Sequence, residues 1–136
     1  MKPRINIVTL AVEDLDRSLA FYRDGMGFPQ ECIAAGEGHV AFHLEPDFSL
    51  VLFPRVEIAR IAGQGEDAPR STECILSHAA GSKAEVDTIL GRADAAGGVV
   101  RGQPSDEPWG YSGYFKDPDG HLWEIMWSKI APATPD

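Results

Sequence analysis

The chain has 136 residues, of which 43% are hydrophobic and 24% charged, a composition typical of a globular domain rather than a disordered chain. Its 21 acidic side chains outnumber 12 basic ones, and the formal net charge is -9. This charge argues against nucleic-acid and membrane partners, since both attract positive surfaces. It leaves open a neutral or cationic small ligand, or no partner selected by charge.

The cysteines and the apolar runs indicate the compartment. Cys32 and Cys74 have no C-x-x-C spacing and no neighbouring histidine cluster, which argues against a zinc site or a disulfide framework. We therefore expect two reduced, mostly buried thiols. The apolar run from Ile7 to Val12 is too short for a signal peptide or a membrane span. We expect a cytoplasmic protein.

The first half of the chain predicts four strands and one helix. Apolar runs bounded by turn residues predict strands over 5–12, 30–34, 39–44 and 48–53. The first of these is apolar at both parities, and we expect it to be buried on both faces. Asp14 precedes a helix that Gly25 and Gly27 end, with the acidic pair Glu13-Asp14 at its N-terminus. The segment 56–71 predicts a connector with a helical turn near 57–61.

The second half repeats this order. Strands are predicted over 74–79, 99–102, 111–116 and 121–127, with a polar loop reaching Pro108. Ser82 and Glu85 form a capping box at the start of a helix that Gly97 and Gly98 end. The segment Asp117-Pro118-Asp119-Gly120 predicts a tight turn, and a Pro-rich tail follows the last strand.

Matching residues recur at a nearly constant offset between the halves. Leu19 and Leu90 lie 71 residues apart, whereas Asp47 and Asp119 lie 72 apart. The shared order predicts a duplicated module within one domain, residues 1–136. We divide it into modules at 4–55 and 73–128, a connector at 56–72 and a tail at 129–136. The predicted fold is α+β: two tandem βαβββ modules with curved mixed or antiparallel sheets, helices outside, and a concave ligand-binding cup.

Three segments resemble the vicinal oxygen chelate superfamily, which contains glyoxalase I, extradiol dioxygenases and bleomycin-resistance proteins. They are VEDLDRSLAFYRDGMGF at 12–28, SHAAGSKAEVDTILGRADAAGG at 77–98 and GYSGYFKDPDGHLWEIMW at 110–127. The resemblance covers almost the whole chain and is specific for fold. It implies much less about activity, because this scaffold carries many chemistries. It also suggests a homodimer.

The resemblance implies four metal-ligand positions, one on the first and one on the last strand of each module. Glu124 matches the last-strand position of the second module, whereas the offset of 72 assigns Leu52 to the first module. The first-strand position of module one falls on Ile7. In module two it falls on Ile75, or on His78 in a different register, and these two point to opposite faces. At most two of the four positions are therefore filled: Glu124 and His78 are the candidate ligands of a divalent metal, and no cofactor is assigned.

Other side chains are candidates for a ligand-binding face. Glu124 is the candidate catalytic residue or hydrogen-bond acceptor. At least one aromatic residue of the group before the final turn is expected to line the cup; the group is Trp109, Tyr111 and Tyr114. Ile7, Thr9 and Leu52 are also expected to contact a ligand. The face opposite to Glu124 is expected to pack Trp123 and Trp127 under the helices, while His39 and His43 share one strand face.

Three hypotheses for the function remain open. The first is binding of a small organic molecule in the cup without the full metal set. The second is an enzyme, a metal-assisted lyase, isomerase or dioxygenase acting on a small carbonyl or diol compound. The third is a non-catalytic interaction module that uses the fold as a scaffold.

Overall fold

A computed structural model describes residues 1–61 and 74–129 of the chain. The chain divides into two compact units, Met1–Ser71 and Thr72–Asp136. Most of the predicted connector and all but the first residue of the predicted tail lie outside the described residues.

The first unit is a four-stranded mixed sheet with helices. The strand order is β1-β4-β3-β2, with β1 parallel to β4 and the other pairs antiparallel. Helix α1 begins after Asp14, whose side chain accepts the Arg17 N–H at 3.1 Å, so the predicted cap is confirmed. A π-helical turn at Phe21–Gly25 continues α1, and a 3₁₀ turn precedes β2. The elements are β1 Ile7–Val12, α1 Leu15–Ala20, β2 Ile33–Gly36, β3 His39–Glu45, β4 Phe48–Pro54 and α2 Arg55–Ile61.

The core of the first unit lies on one face of its sheet. Tyr22 packs on Phe42 with the ring centroids 5.7 Å apart, and both side chains are almost completely buried. Five other buried residues of the sheet share this face with Phe42: Leu10, Val12, Val40, Leu50 and Leu52. Ala41 is buried on the opposite face. The expectation that β1 is buried on both faces is wrong, because Ile7 is 58% exposed and Thr9 is also exposed.

The second unit repeats the architecture. Its strand order is β5-β8-β7-β6, again with the outer pair β5 and β8 parallel. The predicted capping box is present: Ser82 accepts the Glu85 N–H at 3.1 Å, while the Glu85 carboxylate accepts the Gly81 N–H at 2.8 Å. The elements are β5 Ile75–Ala79, α3 Lys83–Ala95, β6 Val99–Glu107, β7 Gly110–Lys116 and β8 Leu122–Ser128.

Helix α3 covers one face of the second sheet. Val86, Leu90 and Ala93 are buried and lie on the stripe predicted from the sequence. A Cβ at Gly113 would lie only 2.5 Å from Leu90 Cδ1, so the glycine allows the helix to approach β7 closely. Phe115 and Ile125 are each 1% exposed, and complete the core on this face.

The predicted α+β class with two repeated modules is therefore confirmed, with corrections of detail. The strand predicted over 30–34 begins only at Ile33, because residues 30–32 form the 3₁₀ turn. Strand β6 does not end at 102 but continues to Glu107, because an irregularity between Arg101 and Ser105 absorbs Gly102 with φ +62°. Both cysteines are free, but Cys74 is exposed rather than buried. Within the described part of the chain, no helix is long and apolar enough to cross a membrane.

The face assignment predicts unequal effects for two isoleucines of the second unit. Replacing Ile125 by Ala removes a side chain that is 1% exposed, and we expect a loss of about 2–5 kcal/mol in the free energy of unfolding. Replacing Ile75, which is 52% exposed, is the matched control and should change it by about 0.5 kcal/mol or less. Urea denaturation of both variants measures the difference, and equal losses would contradict the assignment of the two faces.

Candidate functional site

The turn between β7 and β8 fixes which face each side chain of β8 occupies. Asp117 is buried, and its Oδ1 accepts the backbone N–H groups of Asp119 and His121, each at 2.9 Å. Gly120 takes φ +86°, a value that only glycine adopts readily. The predicted turn is present, and His121 belongs to it. A slip of one residue here would exchange the two faces of β8.

Glu124 lies on the face of the second sheet turned away from α3, which we name the distal face. Its register partners are Ser77 on β5 and Tyr114 on β7. The Ser77 hydroxyl donates to Glu124 Oε1 at 2.9 Å, and the Tyr114 hydroxyl donates to Oε2 at 3.0 Å. Each carboxylate oxygen therefore accepts one neutral hydroxyl, which fixes the orientation of the carboxylate. We name these three side chains the Glu124 cluster.

The negative charge of the cluster affects the pKa of Tyr114. The hydrogen bond to Glu124 raises the pKa of Tyr114 above its usual 10.0, with burial and the charge of Glu124 acting in the same direction. The charge of Glu107 also raises the pKa of Tyr114, whereas a hydrogen bond from Ser112 lowers it. Tyr114 is therefore a neutral donor at physiological pH, lying in a negative local potential.

Strand β5 places Ile75, not His78, on the distal face. Ile75 pairs with Leu122 and Ser77 pairs with Glu124, whereas His78 pairs with Ile125 of the core face. Adjacent register partners share a face, so His78 and Glu124 point to opposite sides of the sheet. The structure does not bring the two proposed metal ligands together.

The three aromatic candidates, Trp109, Tyr111 and Tyr114, lie in different parts of the second unit. Only Tyr114 joins the Glu124 cluster. Tyr111 lies on the α3 side, where its hydroxyl donates to Asp87 Oδ1 at 2.7 Å and its ring lies 5.5 Å from Lys83 Nζ. Tyr111 therefore ties β7 to α3 instead of facing the distal side. Trp109 lies half-buried in the turn after β6, and its carbonyl accepts the Lys129 N–H at 2.8 Å.

The two tryptophans of β8 occupy the face predicted for them. Trp123 and Trp127 share the parity of Ile125, on the α3 side of the sheet. The Trp123 ring stacks on Phe115 with the centroids 6.1 Å apart.

In the first unit, the residue equivalent to Glu124 is Val51 rather than Leu52. Thr9 precedes the helix cap Asp14 by the same five residues that separate Ser77 from the cap Ser82. Thr9 pairs with Val51 on β4, as Ser77 pairs with Glu124 on β8.

Leu52 is completely buried on the opposite, helix-covered face. The assignment of Leu52 as a ligand-contacting residue equivalent to Glu124 is therefore wrong by one residue. The cause is an additional residue between Asp119 and Glu124, where the second hairpin has a longer turn than the first.

Ile7 and Thr9 lie on the exposed face of the first sheet, with two histidines nearby. Ile7, Ser49 and His43 form one row across the strands, and His43 Nδ1 lies 2.8 Å from Ser49 Oγ. His39 shares the parity of His43 on β3, as predicted. This face carries no carboxylate among its register-paired residues.

The residues at the four family positions do not fit a metal ion. Glu124 is the one ligand-type side chain among them, since the other three positions hold Ile7, Val51 and Ile75. In the described ranges 1–61 and 74–129, no group of three or more His, Cys, Asp or Glu side chains is placed to bind a metal. Catalytic metal sites usually need about three protein ligands.

Sequence reasoning missed Ser77 and Arg101. Ser77 is identifiable only once the spacing to the following helix cap aligns it with Thr9 and the parallel register with β8 is known. Arg101 pairs with Tyr114 across β6 and β7, and therefore belongs to the distal face. Arg101 lies within the predicted strand 99–102, but the pairing of β6 with β7 was needed to assign its face.

The comparisons with known proteins agree with this fold. The model of the Glyoxalase/Bleomycin resistance protein/Dioxygenase superfamily matches residues 4–125. The chain belongs to this superfamily. A curated relative, the uncharacterized protein PA2024 of Pseudomonas aeruginosa, is 30% identical over 95% of this chain and 91% of its own length.

Two solved structures are similar over most of the chain. A glyoxalase-related enzyme from Fulvimarina pelagi superposes with a TM-score of 0.85 at 26% identity, covering 98% of this chain and 94% of that protein. A lactoylglutathione lyase from Agrobacterium tumefaciens superposes with a TM-score of 0.66 at 29% identity, covering 92% and 93% respectively.

The Glu124 cluster makes a prediction about tyrosine ionisation. Because the folded-state pKa of Tyr114 is raised, its hydrogen bond stabilises the fold below pH 10, and this contribution disappears as the pH rises through the raised pKa. In Glu124→Gln the acceptor is uncharged, so the pKa of Tyr114 should fall towards its usual 10.0.

NMR titration of ¹³Cζ-labelled tyrosine measures this shift. Tyr111 provides the internal control, because its pKa is raised by Asp87 and should not change in the Glu124 variant. An unchanged Tyr114 titration would show that the hydrogen bond to Glu124 is absent in solution.

Proposed function

We propose that this protein binds a small organic molecule on the distal face of its second sheet, with the Glu124 cluster as the polar anchor and without a bound metal ion. One observation carries the proposal: both oxygens of Glu124 are oriented by the hydroxyls of Ser77 and Tyr114. A fixed acceptor surrounded by apolar side chains is the usual composition of a small-molecule site. The apolar neighbours on this face are Ile75, Leu122 and Met126.

The free hydrogen-bonding capacity of Glu124 supports a role in binding. Glu124 is half-buried, and no lysine or arginine of the described residues forms an ion pair with it. Each oxygen accepts one hydroxyl and retains a further lone pair. A ligand can therefore donate a hydrogen bond to Glu124 without displacing Ser77 or Tyr114.

A second candidate function is a lyase or isomerase reaction on a small carbonyl compound. The hydrogen bond between Tyr114 and Glu124 favours it, since the pair offers a carboxylate base beside a neutral hydroxyl donor. The similar structure from Agrobacterium tumefaciens carries the name lactoylglutathione lyase. In this candidate Glu124 accepts a proton from the carbon next to the carbonyl, and the electron pair of the broken C–H bond forms an enolate. In an isomerisation Glu124 then returns the proton to the adjacent carbon of the enolate. No step is assigned to a metal, because the described residues do not supply its ligands.

The binding proposal predicts the behaviour of Glu124→Gln. A hydrogen bond to a charged group contributes about 1.5–3 kcal/mol, and less at a half-exposed position, so the variant should remain folded. We expect amide shifts of Ser77, Tyr114 and Glu124 in ¹H–¹⁵N spectra when a panel of neutral, cationic, anionic and zwitterionic monocyclic fragments is added. The shifts should persist in EDTA. In Glu124→Gln, the affinity for the fragment should fall about tenfold or more.

Asp94→Asn is the control that removes a carboxylate elsewhere, because Asp94 is exposed on α3, which covers the opposite face of the sheet. Fragment binding that requires added metal, or that is identical in Glu124→Gln, would contradict the proposal. For the second candidate, turnover of a carbonyl compound that is lost in Glu124→Gln would be the distinguishing result.

A further inference from the structure

The charged groups of the distal face are distributed by strand. Glu124 is the charged residue of the β5–β8 half, while Arg101 and Lys116 lie on the β6–β7 half. Glu107 lies at the far end of β6, beyond Ser105 and Ser112. The face of the first sheet that carries Ile7 and Thr9 has no Asp, Glu, Lys or Arg among its register-paired residues. The distal face of the second sheet therefore carries a negative charge on its β5–β8 half and positive charges on its β6–β7 half.

Four side chains form a single row across the second sheet. The register places Ser77, Glu124, Tyr114 and Arg101 next to one another on β5, β8, β7 and β6. Neighbouring strands lie about 4.8 Å apart, so the backbones of Glu124 and Arg101 are separated by roughly 10 Å. The row thus has a carboxylate near one end, a guanidinium at the other and an aromatic ring between them.

The two opposite charges of this row do not neutralise each other. Both oxygens of Glu124 accept hydroxyl groups, and Arg101 is exposed and forms no ion pair with another described residue. Their backbones lie roughly 10 Å apart, and salt largely screens the attraction between exposed charges separated by more than the Debye length of about 8 Å. Each charge is therefore available to a different group of one ligand.

We propose that this row binds a zwitterionic organic molecule. Its ammonium or other N–H donor contacts Glu124, its carboxylate or other oxyanion contacts Arg101, and its carbon skeleton lies over the Tyr114 ring. A guanidinium presents paired donors that match an oxyanion, and a carboxylate prefers a charged donor. This inference rests on the proposed function and names the ligand class of the same site.

Ligands of a single charge fit the row less well. A cation without an acidic group pairs with Glu124 but leaves Arg101 without a partner. An anion pairs with Arg101 but also meets the negative potential of Glu124 and Glu107, the same potential that raises the pKa of Tyr114. A zwitterion satisfies both ends.

Straight-chain amino acids test the inference directly. The probes are 6-aminohexanoate and 8-aminooctanoate, whose charges span distances comparable to the row, with hexylamine, octylamine, hexanoate and octanoate as single-charge controls of the same length. We expect at least one amino acid to shift the amides of both Glu124 and Arg101. It should bind about tenfold more tightly than either single-charge control of its length, a difference of about 1.4 kcal/mol.

Variants assign the two ends of the ligand. Glu124→Gln and Arg101→Gln should each reduce the affinity for the amino acid to that of a single-charge probe. Arg92→Gln is the matched control, because Arg92 is exposed on α3 and outside the row. The Arg92→Gln variant should bind the amino acid as tightly as the unmodified protein does.

The outcomes distinguish failure of the zwitterion proposal from failure of the proposed small-molecule binding. If fragments of the earlier panel bind the distal face while the amino acids bind no better than the amines or acids, the zwitterion assignment is overturned and the proposed function stands. If Arg101→Gln has no effect on amino-acid binding, the assignment is overturned as well. If no probe or fragment shifts the distal face, both are overturned.

Discussion

The alternation of side chains across each sheet determines where the functional chemistry of this protein lies. Helix α3 buries Phe115 and Ile125 on one face of the second sheet, and strand geometry then directs Tyr114 and Glu124 to the other. A register error of one residue would place Glu124 in the core and Ile125 on the surface. The buried Asp117 and the positive φ of Gly120 hold the turn that prevents this error. The site is therefore set by a hairpin turn that contributes no side chain to it.

The same alternation explains how one scaffold keeps its fold while its chemistry changes. Thr9 and Val51 occupy in the first unit the positions of Ser77 and Glu124 in the second. The helix-covered faces of both units bury an apolar core, while the opposite faces differ in charge and hydrogen bonding. Substitutions on these faces change what can be bound at little cost to folding, because they lie outside the packed layer.

Much of the fold could be predicted from the sequence. The helix caps at Asp14 and Ser82, the turn at Asp117 and the apolar stripe of α3 are local features, decided by residues close together in the chain. The placement of Glu124 away from the tryptophans also followed from parity alone. These predictions needed no knowledge of strand pairing.

The candidate site could be predicted only in part, because it depends on register between strands distant in sequence. Leu52 was assigned by a constant offset that one additional turn residue broke. The sequence could not distinguish the roles of Tyr111 and Tyr114, because it does not show which side of β7 faces α3. Identifying Ser77 and Arg101 required the pairings of β5 with β8 and of β6 with β7.

In the proposed function, Glu124 is a carboxylate anchor held by hydroxyls and not a metal ligand. Titration of ¹⁵N-labelled protein with Mn²⁺ tests it most directly, since the ion broadens nearby amides. We expect no selective loss of the Ser77, Tyr114 and Glu124 signals at one equivalent of Mn²⁺. Their selective disappearance would show that Glu124 binds a metal ion and would contradict the proposed role.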